Sequence, residues 1–471
     1  MKPQRFEALV GFGRHPAAKL LSPEVEWFRT KDELLLGVIN VDIADEDFYA
    51  GILARDGDGR YRMISNVASI PTISAARAVL TRLARGALRN GPEAFVQPGE
   101  KGKKQDIFSP VPGKKLHPSF VILGNFVGHS AARGLIAEMM HHYVDVDGNF
   151  IEQFQTTGFD SRVWELYLFA YFNEESLLIE RPKPAPDFIV SRGDLKAAVE
   201  AVTVNRTQSQ VEDHEAGTSE SSPERVIELS KDFMPIKFGS PLYSKLKKRY
   251  WELPNIKGLP LVFAIADFHE KASMTWTSTA LVRYLYGVHH DFRLDEDGQL
   301  VISPLKIEKH VYKGKEIPSG FFFLPDSEYV SAVLFSASGT ISKFNRLGKI
   351  AGFGDKTVRM IRIGANHRHD PNSALPDQFM FEVDDDYFET WGEGVSIFHN
   401  PNALIPLPQE MFRSVAHHRF ENGQIVSTLP EFHPYGSITH ILVPRGRRTK
   451  EQEALEAALA VEAEEDAKEE S

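Results

Sequence analysis

The sequence predicts an α/β protein, and three observations lead there. Between Asp160 and Ala266, apolar runs of helical length alternate with runs of strand length in the order helix, strand, strand, helix, strand. Hydrophobic residues make up 42% of the chain and charged residues 25%, the balance of a globular protein that buries sizeable cores. At 471 residues the chain exceeds one ordinary core, so two or three domains are expected. Composition shifts divide it into an α+β N-terminal domain over 1–150, a mixed-sheet core over 151–272 and a β-rich C-terminal domain over 273–444. A charged tail follows over 445–471.

Residues 33–64 alternate apolar and polar around Asp56-Gly57-Asp58-Gly59, which predicts strand, turn, strand. Ser74–Asn90 has helical spacing and carries Arg77, Arg82, Arg85 and Arg89. Residues 99–112 are loop by composition, Leu135–Tyr143 is a short helix, and Asp145–Gly148 is a turn. A strongly apolar helix opens at Asp160 or Ser161, either of which can cap it, and runs to about Phe172. Strands follow at Leu177–Ile179, at Pro186-Asp187-Phe188 and at Ala197–Val204, with Arg192-Gly193-Asp194 as the turn between the last two. Residues 207–224 are polar and lack periodicity, as expected of a mobile insertion. Ser240 as N-cap and Pro241 at the first helical position predict a helix over 240–253. Its buried stripe is Leu242, Tyr243, Leu246 and Tyr250, flanked by Lys245, Lys247 and Arg249. Leu259–Ala266 is a further apolar strand. Short strands dominate beyond Ser273, and the last 21 residues hold nine acids against one lysine.

Asp187 and Glu200 have opposite sequence parity, so any even-length loop between their strands puts them on one face of the hairpin. A two-residue loop at Gly193-Asp194 sets them directly opposite each other. Glu200 is also the one charge in the apolar run Ala197–Val202, where a lone carboxylate would be costly without a cation or hydrogen-bond partners. Paired carboxylates on neighbouring strands suit magnesium, which takes one or two carboxylates plus water and phosphate oxygens. The competing reading is an edge strand with Glu200 in solvent.

The order of a helix bearing Glu165, a strand, Pro186-Asp187, a turn, a strand bearing Glu200, a helix and a strand resembles the PD-(D/E)XK nuclease superfamily. The resemblance covers about residues 159–268. It implies a restriction-endonuclease-like mixed-sheet core and a magnesium or manganese ion held by Asp187 and Glu200, with Glu165 completing the site. Where the family pattern has a lysine two residues after the acid, this chain has Val202. Members of the superfamily move that cation to a neighbouring element, and Lys245 is the expected surrogate here, with Arg249 one turn further on.

The resulting expectation is a metal-dependent nuclease acting on nucleic acid, DNA rather than RNA. The arginines of Ser74–Asn90 and the lysines at 101, 103 and 104 are candidate phosphate contacts. The alternative is a catalytically silent nuclease-like scaffold that binds a partner protein or nucleic acid, alone or as a homo-oligomer; Val202 favours it. No cysteine is present, which excludes disulfide frameworks, thiolate zinc sites and cysteine nucleophiles. The first twenty residues lack the apolar core of a signal peptide, and no apolar run is long enough to span a bilayer, so a cytoplasmic location is expected. A net charge of −11 confines any nucleic-acid contact to a local basic face.

Several other signals carry less. Gly348–Thr357 fails phosphate-loop spacing because Asp355 separates Gly354 from Lys356. His367-Arg368-His369-Asp370 and His289-His290-Asp291 lack the i, i+4 spacing of helical metal ligands. The Asp-Gly turns at 56–59, 145–148 and 295–298 lack a calcium loop's twelfth-position acid and read as hairpins.

Overall fold

The computed structural model describes residues 1–95, 102, 106–183, 185–206, 223–270, 272–370 and 372–444. The lysines at 101, 103 and 104, the bulk of the polar insertion (207–222) and the tail from 445 lie outside these residues. The architecture is mixed α/β with several sheets.

The first unit is an antiparallel meander, β1 (Glu24–Arg29), β2 (Leu36–Asp42), β3 (Asp47–Arg55) and β4 (Tyr61–Ile70). Each of its faces is closed by a helix. Phe6 and Leu9 of the helix Pro3–Val10 pack on Leu36, Val38 and Leu53, whereas Ala76 and Leu80 of Ile73–Asn90 pack on Ile39, Ala50 and Ile52. Thr72 caps the second helix by accepting from Ala75 N–H at 3.2 Å. The turn at 56–59 joins β3 to β4 as expected. The turn at 145–148 is not a hairpin; it links the helices Ser130–Met140 and Phe150–Gln155.

The core is one eight-stranded mixed sheet. Its first four strands are β5 (Leu178–Glu180), β6 (Phe188–Arg192), β7 (Leu195–Val204) and β8 (Leu261–Asp267). Its other half comes from beyond residue 273. After the hairpins β9–β10 (Val288–Leu294, Leu300–Lys306) and β11–β12 (Lys309–Tyr312, Lys315–Pro318), β13 (Ala332–Ser336) lies parallel to β8. β14 (Arg359–Asn366), β15 (Asp377–Glu382) and β19 (Pro434–Leu442) form a separate three-stranded sheet. β16 (Val395–His399), β17 (Ala416–Glu421) and β18 (Gln424–Thr428) complete the large one in the order β18-β17-β16-β13-β8-β7-β6-β5. The expected boundary at 272/273 therefore does not separate two sheets. β8 and β13 are fully buried apolar strands of the kind that parallel pairing requires, and each supplies what the other must cover.

Helices sandwich this sheet. Val199, Val262, Leu334 and Ile397 face the helices Ser130–Met140, Phe159–Glu174 and Ile341–Ile350. Ala198, Val202, Phe263 and Phe335 face Phe233–Leu246 and Ser278–Tyr286. Every residue from Val163 to Phe172 is buried, which is why that helix shows no polar stripe. It begins at Phe159 after Gly158, with no side-chain cap. Ser161 Oγ instead bonds Thr203 Oγ1 at 2.9 Å. Among the described residues no single helix is long and apolar enough to cross a membrane.

Candidate metal centre

The β6–β7 hairpin turns through Gly193 (φ +57°) and Asp194, pairing Arg192 with Leu195 and Phe188 with Val199. One step beyond that last pair, Asp187 lies opposite Glu200, as the two-residue loop requires. Asp187 itself precedes the strand. Its backbone N–H donates to Glu200 Oε2 at 3.3 Å, and its Oδ2 accepts from Ala201 N–H at 2.8 Å. The edge-strand reading, with Glu200 in solvent, does not hold: Glu200 is 4% exposed and points toward the helix Phe233–Leu246.

That helix delivers Lys245. Its Nζ donates to Glu200 Oε1 at 2.5 Å, and Tyr250 Oη donates to the same oxygen at 2.6 Å. Burial, then the Glu200 charge, raises the Tyr250 phenol, so it stays a neutral donor. Val202 is buried in the apolar cluster under this helix, so the cation comes from the facing helix instead of from β7. The helix differs from the expectation. It starts at Phe233, because Met234, Phe238, Leu242 and Leu246 continue one buried row four residues apart, and it ends at Leu246 with Pro241 inside it. Tyr243 is exposed rather than part of the stripe. Arg249 turns away to Glu252 at 2.8 Å and Asp326 at 3.6 Å, and Lys247 sits over the Tyr243 ring, so neither reaches the acids.

Glu165 is buried and held by cations. Its Oε1 accepts from Arg162 Nη1 at 2.6 Å, and its Oε2 accepts from Tyr143 Oη at 2.7 Å and from Arg181 Nη2 at 3.5 Å. Arg181 links both halves of the site, since its Nε donates to the Asp187 carbonyl at 2.9 Å while its guanidinium lies over the Tyr143 ring. Burial raises the Glu165 carboxyl, against the pull of Arg162, Tyr143 and Arg181. Burial, followed by the charges of Glu200 and Glu165, pushes the Asp187 carboxyl well above its ordinary range.

Tyr143, Arg162, Arg181 and Tyr250 are site residues the sequence reading did not assign. Arg162 was within reach of it, because i, i+3 spacing places it beside Glu165 on one helix face. Tyr143 and Arg181 arrive by tertiary contact and leave no local signal. On the helix Ile73–Asn90, Arg77 pairs with Glu26, while Arg82, Arg85 and Arg89 are exposed.

The donors fit a magnesium-type ion at two of the three acids. Among the described residues Asp187 Oδ1 has no hydrogen bond, and Glu200 Oε2 receives only the long Asp187 amide contact. Glu165 fits less well, because both of its oxygens already accept from cations or a phenol. Among the described residues no three His, Asp or Glu side chains form a metal-holding group. No protein-family model, curated protein or solved structure matches the chain.

Proposed function

We propose that this chain is a metal-dependent phosphodiesterase acting on nucleic acid, DNA in preference to RNA, built on a restriction-endonuclease-like core. One observation carries the reading: Asp187 and Glu200 face each other across a hairpin, and Lys245 reaches Glu200 from the opposing helix. A carboxylate, a second carboxylate and a relocated lysine are the three groups the resemblance asks for. Asp187 and Glu200 would hold the ion, which when bound supplies positive charge to phosphoryl oxygens and acidifies a water. Lys245, held at Glu200 by its ion pair, would stabilise charge on the phosphate. Tyr250 keeps Glu200 Oε1 oriented. Arg162 and Tyr143 hold Glu165, and Arg181 joins Glu165 to the loop before β6, so this acid would position Arg181 and that loop rather than bind the ion directly.

A second reading is a nuclease-like scaffold that binds without cutting. The observation favouring it is that Glu165 and Glu200 are already paired with cations of the chain itself. Manganese-dependent cleavage of plasmid and single-stranded DNA by the purified protein separates the two. Asp187→Asn should abolish cleavage. Lys245→Met, which keeps the aliphatic stem, should lower the rate by at least about 100-fold while retaining most DNA binding. Lys247→Ala, whose ammonium lies over the exposed Tyr243 ring and away from the acids, should cut normally. No cleavage by the parent protein with either magnesium or manganese selects the scaffold.

A further inference from the structure

Nine residues along the helix from Glu165, about 13 Å of rise, the same helix presents Glu174 to a different cavity. This cavity encloses about 560 Å³ between the helix Pro3–Val10, β1 and the helices Phe159–Glu174 and Ile341–Ile350. That volume lies within the range of small-molecule sites. Phe12, Trp27 and Trp391 give it aromatic walls, and Phe388, 77% exposed, stands at its edge.

We propose that this cavity binds a small organic cation, an amine carried on a flat apolar body, with its ammonium on Glu174. The polar groups facing the space are mostly acceptors. Glu174 Oε1 and Oε2 each take one backbone N–H, from Trp391 at 2.9 Å and Gly392 at 2.8 Å, and each keeps further acceptor capacity. Asn173 donates its amide to the Phe169 carbonyl at 2.7 Å, which leaves Oδ1 to accept. The cations that could hold an anion are engaged. Arg14 lies 3.0 Å from Glu7 and 2.9 Å from Glu24, an ion pair by distance although its Nη2 makes no directed hydrogen bond, and Lys19 pairs with Glu7 at 3.7 Å. Glu389, also in the wall, is neutralised from behind by Lys343 and Arg346. Glu174 has no such ion pair among the described residues, and burial holds its carboxyl up at about 7 against the two backbone N–H donors and the more distant charge of Lys343. Glu174 is half-buried, and above about pH 7 its ionised carboxylate beside aromatic faces makes an environment that recognises ammonium groups and discriminates against their neutral isosteres.

Isothermal titration of the full-length protein with 2-phenylethylamine and with 2-phenylethanol tests this. The two probes share a body and differ in the charged group. The amine should bind with a dissociation constant below about 1 mM, and the alcohol at least about 10-fold more weakly. Glu174→Gln should remove the preference by weakening the amine alone. Phe388→Ala, at an exposed position that folding does not need, should weaken both probes. Equal affinity for amine and alcohol, no binding of the amine up to about 10 mM, or a preference that survives Glu174→Gln overturns the proposal.

Discussion

Glu200 is a buried carboxylate whose Oε1 accepts from two side chains, Lys245 and Tyr250, and what each contributes can be separated. Removing one partner of a buried ion pair leaves the other charged and desolvated, whereas removing both leaves neither. Lys245→Met alone should therefore destabilise the protein by about 1–3 kcal/mol. The double variant Lys245→Met/Glu200→Gln should lose clearly less than the sum of the two single changes, with a coupling of about 1–2 kcal/mol. Urea unfolding of the four proteins measures the cycle, and additive losses would mean that the two groups do not meet. Tyr250→Phe should cost about 1 kcal/mol through the lost hydrogen bond alone. At this scale the sequence was informative where chemistry is local. Opposite parity across a two-residue loop sets Asp187 against Glu200, and an isolated acid in the run Ala197–Val202 implies a partner. It was silent on Tyr143 and Arg181, whose contacts with Glu165 span 22 and 16 residues and follow from packing alone.

The helix bearing Lys245 shows why elements were harder to bound than residues were to pair. Ser240-Pro241 is a sound helix-start signal, because proline lacks the N–H that a first turn leaves unused. Here the buried row Met234, Phe238, Leu242, Leu246 carries the helix through Pro241, and tertiary burial outweighs the local signal. The Lys237 carbonyl then loses its helical partner, since Pro241 has no N–H to give. Pro241→Ala should restore that bond and stabilise the protein by about 1–2 kcal/mol, less than the full proline penalty because the helix has already adapted. A rise in the thermal midpoint checks it; a fall would show that the break is needed to bring Lys245 onto Glu200. The same limit applies to sheets. Each of β8 and β13 is legible as a buried strand, yet their parallel pairing joins segments with Ala332 opposite Val262, and no local pattern specifies so distant a partner. That is why a C-terminal domain was expected where the structure has the second half of one sheet.

Taken whole, the molecule holds many histidines neutral by burying them, and this sets how its stability responds to acid. Burial lowers His117, His129, His142 and His433 to about 4, and His399 and His418 to about 3. Unfolded chains take up protons on such rings from about pH 6.5 downward, whereas the folded protein does so only near pH 3–4. In that window the unfolded state binds more protons, so this contribution to stability is complete above about pH 6.5 and declines as the pH falls. Glu174, held up at about 7, and Asp160, held up at about 6, act in the opposite sense. Burial is the leading cause for both, and their stabilising contribution is present below their unfolded pKa and lost as pH rises through 6 and 7. Asp187 and Glu165, also raised by burial, act with them. Six rings against four carboxyls should still leave a net loss of stability on acidification below pH 6.5. His418 is the most informative position, because it stacks on Phe398 at 4.7 Å and is hydrogen-bonded to Ser427 and Ser396. One proton of difference corresponds to about 1.4 kcal/mol per pH unit. The parent protein should thus lose about 1 kcal/mol more than His418→Asn when each is taken from pH 6 to pH 5. Urea unfolding at pH 5, 6 and 7 measures both slopes, and identical slopes would mean that His418 takes up its proton within the folded protein.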